Sequence, residues 1–311
     1  MNTLTFRDPV SPRAIDAQRT ELADRIARLA VADGAQALAV PRLHVFRASQ
    51  SGPCMPSVYG PRLIFVAQGV KIAMLAGETF RYDPLNFLVV SMPIAAASGV
   101  LEASPERPYL ALRLDIELDE ISALLQEVQP PPAPAQVSRG LYAARADSAL
   151  LDAVLRLMRL LDNPQDVPVL APSIKREIYY RVLTGDLGYR LRDLATAGSR
   201  SHRIARAVDL LRRHYLEPLR IEALAASVHM SVSSLHHQFK AATAMSPLQF
   251  QKQLRLHEAR RLMLADGLEA ATAAHRVGYE SPSQFSREYK RLFGAPPRAQ
   301  VSQIRNLAAN G

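Results

Sequence analysis

The chain has little with which to build a thiol or metal chemistry. Its 311 residues contain one cysteine, Cys54, and no tryptophan. One thiol excludes an internal disulfide framework and a zinc site made of several thiolates. Before residue 200 the only histidine is His44. A histidine-rich metal centre of the cupin-enzyme type therefore has no ligands in that half. Gly-x-Ser-x-Gly and Gly-x-Gly-x-x-Gly segments are both missing. No run of about 20 apolar residues occurs, so no transmembrane helix is expected. The opening stretch MNTLTFRDPVSPRAIDAQRT has no apolar signal-peptide core. A cytoplasmic location without metal, cofactor or membrane is the expectation.

What is present suits about two soluble domains, with 48% hydrophobic and 22% charged residues. The net charge of +9 is unevenly spread. Residues 1–199 balance 21 Lys and Arg against 21 Asp and Glu, whereas residues 200–311 hold 17 against 8. The whole excess lies in the last third, as for a polyanion-binding module attached to a neutral one. A solvated basic surface would give the same count.

The texture of the chain changes along its length. Residues 12–32 have apolar residues near helical spacing (Ile15, Leu22, Ile26, Leu29). From about 40 to 115, short β-rich runs such as LIFVAQGVKIAML and YLALRLDI alternate with turn signals. This predicts a small antiparallel barrel or sandwich. Helices are predicted over 117–128, 147–161 and 173–184. After Gly198 nearly everything reads as helix: 203–215, 221–228, 231–243, 246–265, 268–277, 281–293 and a closing segment from 296. The predicted domains are 1–195 and 196–311.

The last third contains a repeat. Leu224, Ala225, Val228 and Met230 match Ala273, Ala274, Val277 and Tyr279 at an offset of 49. Ser233, Leu235, Phe239 and Lys240 match Ser283, Phe285, Tyr289 and Lys290 at an offset of 50. The extra residue falls in the second turn, near Gly278. A short helix, a tight turn and a second helix form a helix-turn-helix, here about 221–243 and again about 268–293. The helix between the copies, about 20 residues, would span about 30 Å. That is close to the roughly 34 Å between successive major-groove faces on one side of B-DNA.

The adjacent His236 and His237 admit three readings. They lie about 100° apart on a helix, whereas helical metal ligands sit at i and i+4. A general base would need a nucleophile, an orienting acid and a pocket. Contact with DNA is the remaining reading. Val232, Leu235 and Phe239 should face the core, leaving Ser233, His236, His237 and Lys240 outward. In the second copy Phe285, Tyr289 and Leu292 should face inward, with Ser283, Gln284 and Arg287 outward. Arg287 is the best candidate for a bidentate contact with guanine. Lys240, Lys290 and Arg291 are expected on phosphates. So are the helix starts at Ser231, Ser246 and Ser281, which can also serve as ordinary caps.

The stretch AAHRVGYESPSQFSREYKRLFGAPPRAQ, with LAASVHMSVSSLHHQFK and RLHEARRLML before it, resembles the AraC/XylS family of transcription regulators. Residues 56–94 and the following YLALRLDIELDEI resemble the N-terminal effector domain of one AraC subgroup, which includes aldehyde- and electrophile-responsive regulators. The resemblance implies an α+β two-domain protein: a cupin-like barrel with flanking helices, then an all-α domain with two helix-turn-helix motifs. It implies double-stranded DNA and RNA polymerase as partners, a small-molecule effector, a homodimer, activation rather than repression, and no catalysis. It also implies that Ser233, His236 and His237 read the groove, although the family commonly has arginine where His237 stands. Dimer surfaces are sought on 117–128 and 147–184. Cys54 is a candidate thiol sensor. Tyr59, with Phe65, Phe80, Tyr82 and Phe87, is a candidate for a pocket wall. Two other readings stay open: a cupin-type enzyme with an accessory DNA module, and a nonspecific architectural DNA binder.

Overall fold

A computed structural model of the chain describes residues 12–75, 77–128, 140–196 and 198–309. Helix α1 (Pro12–Leu29) leads into nine strands: β1 (Gly34–Ala37), β2 (Leu43–Ala48), β3 (Met55–Tyr59), β4 (Arg62–Gln68), β5 (Val70–Leu75), β6 (Glu78–Tyr82), β7 (Asn86–Val90), β8 (Ile94–Glu102) and β9 (Tyr109–Asp115). Then come α2 (Leu118–Leu125), β10 (Leu141–Arg145), α3 (Ser148–Arg159), α4 (Val167–Thr184) and α5 (Gly188–Ala195). The rest is helical: α6 (Arg200–Arg213), α7 (Ile221–Ser227), α8 (Val232–Thr243), α9 (Pro247–Ala265), α10 (Ala270–Arg276), α11 (Pro282–Phe293) and α12 (Pro297–Ala309).

All strand pairs are antiparallel and form two ladders, β1-β2-β9-β4-β7-β10 and β3-β8-β5-β6. The sheets are opposite walls of a flattened barrel. Register sets what each wall presents. His44 pairs with Arg113, which pairs in turn with Ile64 on β4. Phe46 pairs with Ala111 one step along. Side chains alternate across a strand, so this set looks into the barrel. Leu43, Val45, Leu112 and Leu114 then face the other way, where α1 lies against β2, β4 and β9. All four are buried, as are Leu22 and Ile26 of α1.

Four elements depart from the expected boundaries. Strand β1 has the unpromising sequence GAQA and owes its form to pairing with β2. Strand β10 lies outside the expected 40–115 span and completes the sheet beside β7, with Leu141 and Tyr142 buried. Helix α4 begins at Val167 rather than 173 because Pro172 is accommodated inside it, at the loss of one ladder bond near the start. Helix α5 lies outside the predicted helices; it packs on both α4 and α6. Buried Leu191 and Ala195 continue one apolar core from the barrel helices into the first helix-turn-helix. The second has its own core around Phe285, Tyr289 and Phe293. There, His257 of α9 meets the edge of Phe293, 5.2 Å between ring centres. Burial, and then Arg260, pushes its pKa down to about 4, so the ring is neutral.

Candidate nucleic-acid interface

The two copies are close structural equivalents. In the first turn His229 and Met230 donate backbone N–H groups to Ala226 and Ala225. In the second, Gly278 and Tyr279 donate to His275 and Ala274. His229 and Gly278 both have positive φ, +54° and +83°. Gly278 therefore has a counterpart, and the residue that shifts the offset is Glu280, just before the cap Ser281. The equivalence extends past the second helices. Ala244 and Gly294 end α8 and α11 in the left-handed conformation, each donating to the lysine four residues back, Lys240 or Lys290. Pro247 and Pro297 then start the next helices.

The inward sets differ slightly from expectation. Leu235 and Phe239 are fully buried, and Phe239 meets Phe250 edge-on at 5.7 Å. Val232 is exposed instead, because it is the first residue of α8 and lies beyond the packed surface. In α11, Phe285 and Tyr289 are buried as expected. Phe293 completes that face, with Leu292 only half-buried; Phe293 packs on Tyr289, 4.5 Å between ring centres.

The outward sets are open to solvent. Ser233, His236, His237 and Lys240 are exposed on α8, and Ser283, Gln284, Arg287, Lys290 and Arg291 on α11. Arg287 makes no hydrogen bond or ion pair among the described residues. Gln284 differs: its amide donates to Glu288 at 3.3 Å. Glu288 also receives Lys252 at 2.6 Å and the Tyr279 hydroxyl at 2.7 Å. Burial works against the Glu288 carboxylate, but these donors outweigh it and hold its pKa below the usual range. Ser231 and Ser281 cap their helices through the N–H groups of Ser234 and Gln284. Ser246 forms a reciprocal capping box with Gln249.

Sequence reasoning misses the part that ties the copies together. Helix α9 has 19 residues, about 28 Å at 1.5 Å per residue. Its Arg255 donates to the carbonyls of Tyr215 (2.7 Å), Leu216 (3.0 Å) and Glu217 (3.1 Å), and to Gly278 O at 2.9 Å. The first three end the turn after α6; the fourth lies in the second helix-turn-helix. Gln251, one turn earlier, donates to Tyr215 and Glu217 as well. A Cβ on Gly278 would stand 3.1 Å from Leu216 O and 3.2 Å from the Arg255 guanidinium carbon. The close approach and the positive φ both favour glycine here, whereas the equivalent position of the first copy holds His229 at a smaller positive φ. This tie has no clear signal in the sequence, since Gln251 and Arg255 are two of many polar residues on α9, among them Gln249, Lys252, Gln253 and Arg260.

The barrel holds a second candidate site, a cavity of about 230 Å³ lined by residues of both sheets. Tyr59 is in its wall; Cys54, half-buried just before β3, is not among its lining residues. Phe65 and Phe87 stack in the core at 5.2 Å instead, and Tyr82 is fully buried. Strand β3 has a further neighbour: α9 and α11 rest beside it.

Two family models match the chain. Residues 39–190 match the AraC-type transcriptional regulator N-terminus, and residues 224–302 match a helix-turn-helix domain. The chain belongs to the AraC family. It is 28% identical over 155 residues to the transcriptional activator RhaS of Salmonella schwarzengrund, covering 50% of this chain and 55% of RhaS. It is 28% identical over 158 residues to the regulator ArgR of Pseudomonas aeruginosa, covering 50% and 48%. The chain spans about half the length of these curated relatives. Its fold is that of ToxT from Vibrio cholerae. The ligand-free ToxT structure has a TM-score of 0.56 at 10% identity, covering 87% of this chain and 98% of ToxT. An unsaturated fatty acid-bound ToxT also has 0.56 at 10% identity, covering 83% and 94%. Among the described residues no helix is long and apolar enough to cross a membrane.

Proposed function

We propose that the chain is a sequence-specific DNA-binding transcription regulator of the cytoplasm, and an activator, whose N-terminal unit (1–195) senses a small molecule and whose C-terminal unit (196–311) reads DNA. The observation that carries this reading is the pair of equivalent helix-turn-helix units fixed to one bridging helix by Arg255. Two exposed polar faces so held can enter successive major grooves. Ser233, His236, His237, Ser283 and Arg287 are the base-reading set. Gln284 joins them with its amide already engaged by Glu288. Lys240, Lys290 and Arg291, with the helix starts at Ser231, Ser246 and Ser281, hold phosphates. RNA polymerase and a second copy of the chain are the proposed protein partners. RhaS is an activator by name, and ToxT accepts a fatty acid; both support a ligand-controlled regulator over an enzyme.

The test is selection of genomic fragments by the full-length protein at about physiological salt, since salt sets the nonspecific background. One recurring motif with two contact blocks is expected. Recovery of unrelated fragments, with Lys290→Ala weakening all of them alike, would favour an architectural binder instead.

A further inference from the structure

The barrel cavity carries an unbalanced charge. Its wall includes Arg62, Lys71 and Arg113, with His44 beside them and no carboxylate. The nearest acid, Asp115, is already shared: it lies 3.6 Å from Arg62 and 3.2 Å from Arg113. His44 does not redress the balance, being 3.8 Å from Asp115. Burial, and then Arg113, lowers its pKa, which favours the neutral ring.

Lys71 is the unopposed cation. Its ammonium lies 4.6 Å from the centre of the Phe46 ring and 5.8 Å from that of Tyr109. It has no carboxylate partner among the described residues. Burial, followed by repulsion from Arg62, pushes its pKa down to about 8. One other polar atom of the cluster, His44 Nδ1, is buried without a hydrogen bond, whereas Arg113 Nε and Asp115 Oδ1 face each other as an ion pair. Buried charges and donors left unmet are costly, and their presence together in a cavity marks a place where a ligand supplies the missing partner. Phe46, Val58, Ile64 and Tyr109 give the wall its apolar and aromatic part, and Ser57, Ser98 and Tyr59 add hydroxyls.

We propose that the cavity binds a small organic acid, its carboxylate lying between Lys71 and the Arg62–Arg113 pair and its apolar body against Phe46, Tyr109 and Ile64. This rests on the reading of the barrel as the effector unit and names the chemical class it takes. An ammonium–carboxylate contact here forms away from water, where charge-assisted bonds are strongest. Ser57, Val58 and Tyr59 of β3 line the same cavity, and β3 is the strand beside α9 and α11. The bound acid therefore sits one strand away from the second reading unit.

Calorimetric titration of the full-length protein, without DNA, tests this with benzoate, cinnamate and hexanoate against their primary amides. At least one acid should saturate, at least tenfold tighter than its amide. Lys71→Met should abolish that preference, and Lys71→Arg should restore it; thermal melts confirm that each variant is folded. Amides binding as well as acids would overturn the proposal. So would failure of every acid at millimolar concentration, or a preference that survives Lys71→Met. Because no DNA is present, such a failure with motif selection intact removes only the ligand class. Failure of motif selection with acid binding intact removes only the DNA reading.

Discussion

Replacing Arg255 by methionine should destabilise the C-terminal half by about 2–3 kcal/mol, the usual worth of hydrogen bonds to a charged group. It should also uncouple the two reading units. Methionine keeps the apolar stem and removes the guanidinium. Four carbonyls are then without this donor: Tyr215, Leu216 and Glu217 in the turn after α6, and Gly278 in the second turn. Turn carbonyls packed against α9 need a donor, so the loss of a charged one is costly. Gln251 still reaches Tyr215 and Glu217, which limits the damage at the first unit. Nothing comparable replaces the bond to Gly278. In denaturant the unfolding midpoint should fall with the slope unchanged. On DNA, affinity for a site with both contact blocks should drop more than affinity for a site with one. Equal drops on the two would show that Arg255 supports the fold without fixing the spacing.

Arg287→Ala should cost about 1–3 kcal/mol of binding to the selected motif and relax the choice of base at one position. The side chain is exposed on α11, two turns before the C-terminus, and makes no ion pair among the described residues. Removing it should leave the fold untouched, since Phe285 and Tyr289 hold the helix from the other side. The contrast is Lys290→Ala. Without its ammonium on a phosphate, binding to all sequences should weaken alike and the salt slope should fall by about one. Affinities measured on the motif and on single-base variants separate the two. If Arg287→Ala weakens every variant equally, its role is that of Lys290.

Much of this is legible in the sequence, and the reasons are specific. The outward residues of α8 and α11 follow from helical periodicity around Leu235–Phe239 and Phe285–Tyr289. Both pairs are buried because i and i+4 share a face. The barrel is visible as alternating runs between turn signals. Strands β1 and β10 are not, because GAQA and LYAAR acquire strand form from the partners they pair with, β2 and β7. Helix α4 is predicted short, from 173, because a proline inside a helix costs a ladder bond, yet Pro172 lies within it. The Arg255 latch and the Lys71 cluster are hidden for another reason. Each joins residues far apart in the chain, Arg255 to Leu216 and Lys71 to Phe46 and Tyr109, and single-sequence patterns carry no information on such pairs.

On the proposed reading, α9 is one bridge that holds two readers about one helical turn apart on DNA. It is tested most directly by measuring affinity for the selected motif after inserting five base pairs, about half a turn, between its two contact blocks. The inserted DNA puts the blocks on opposite faces, so affinity should fall to that of a site with one block alone. Unchanged affinity would contradict the account, because it would mean that the two helix-turn-helix units are not fixed to each other through α9.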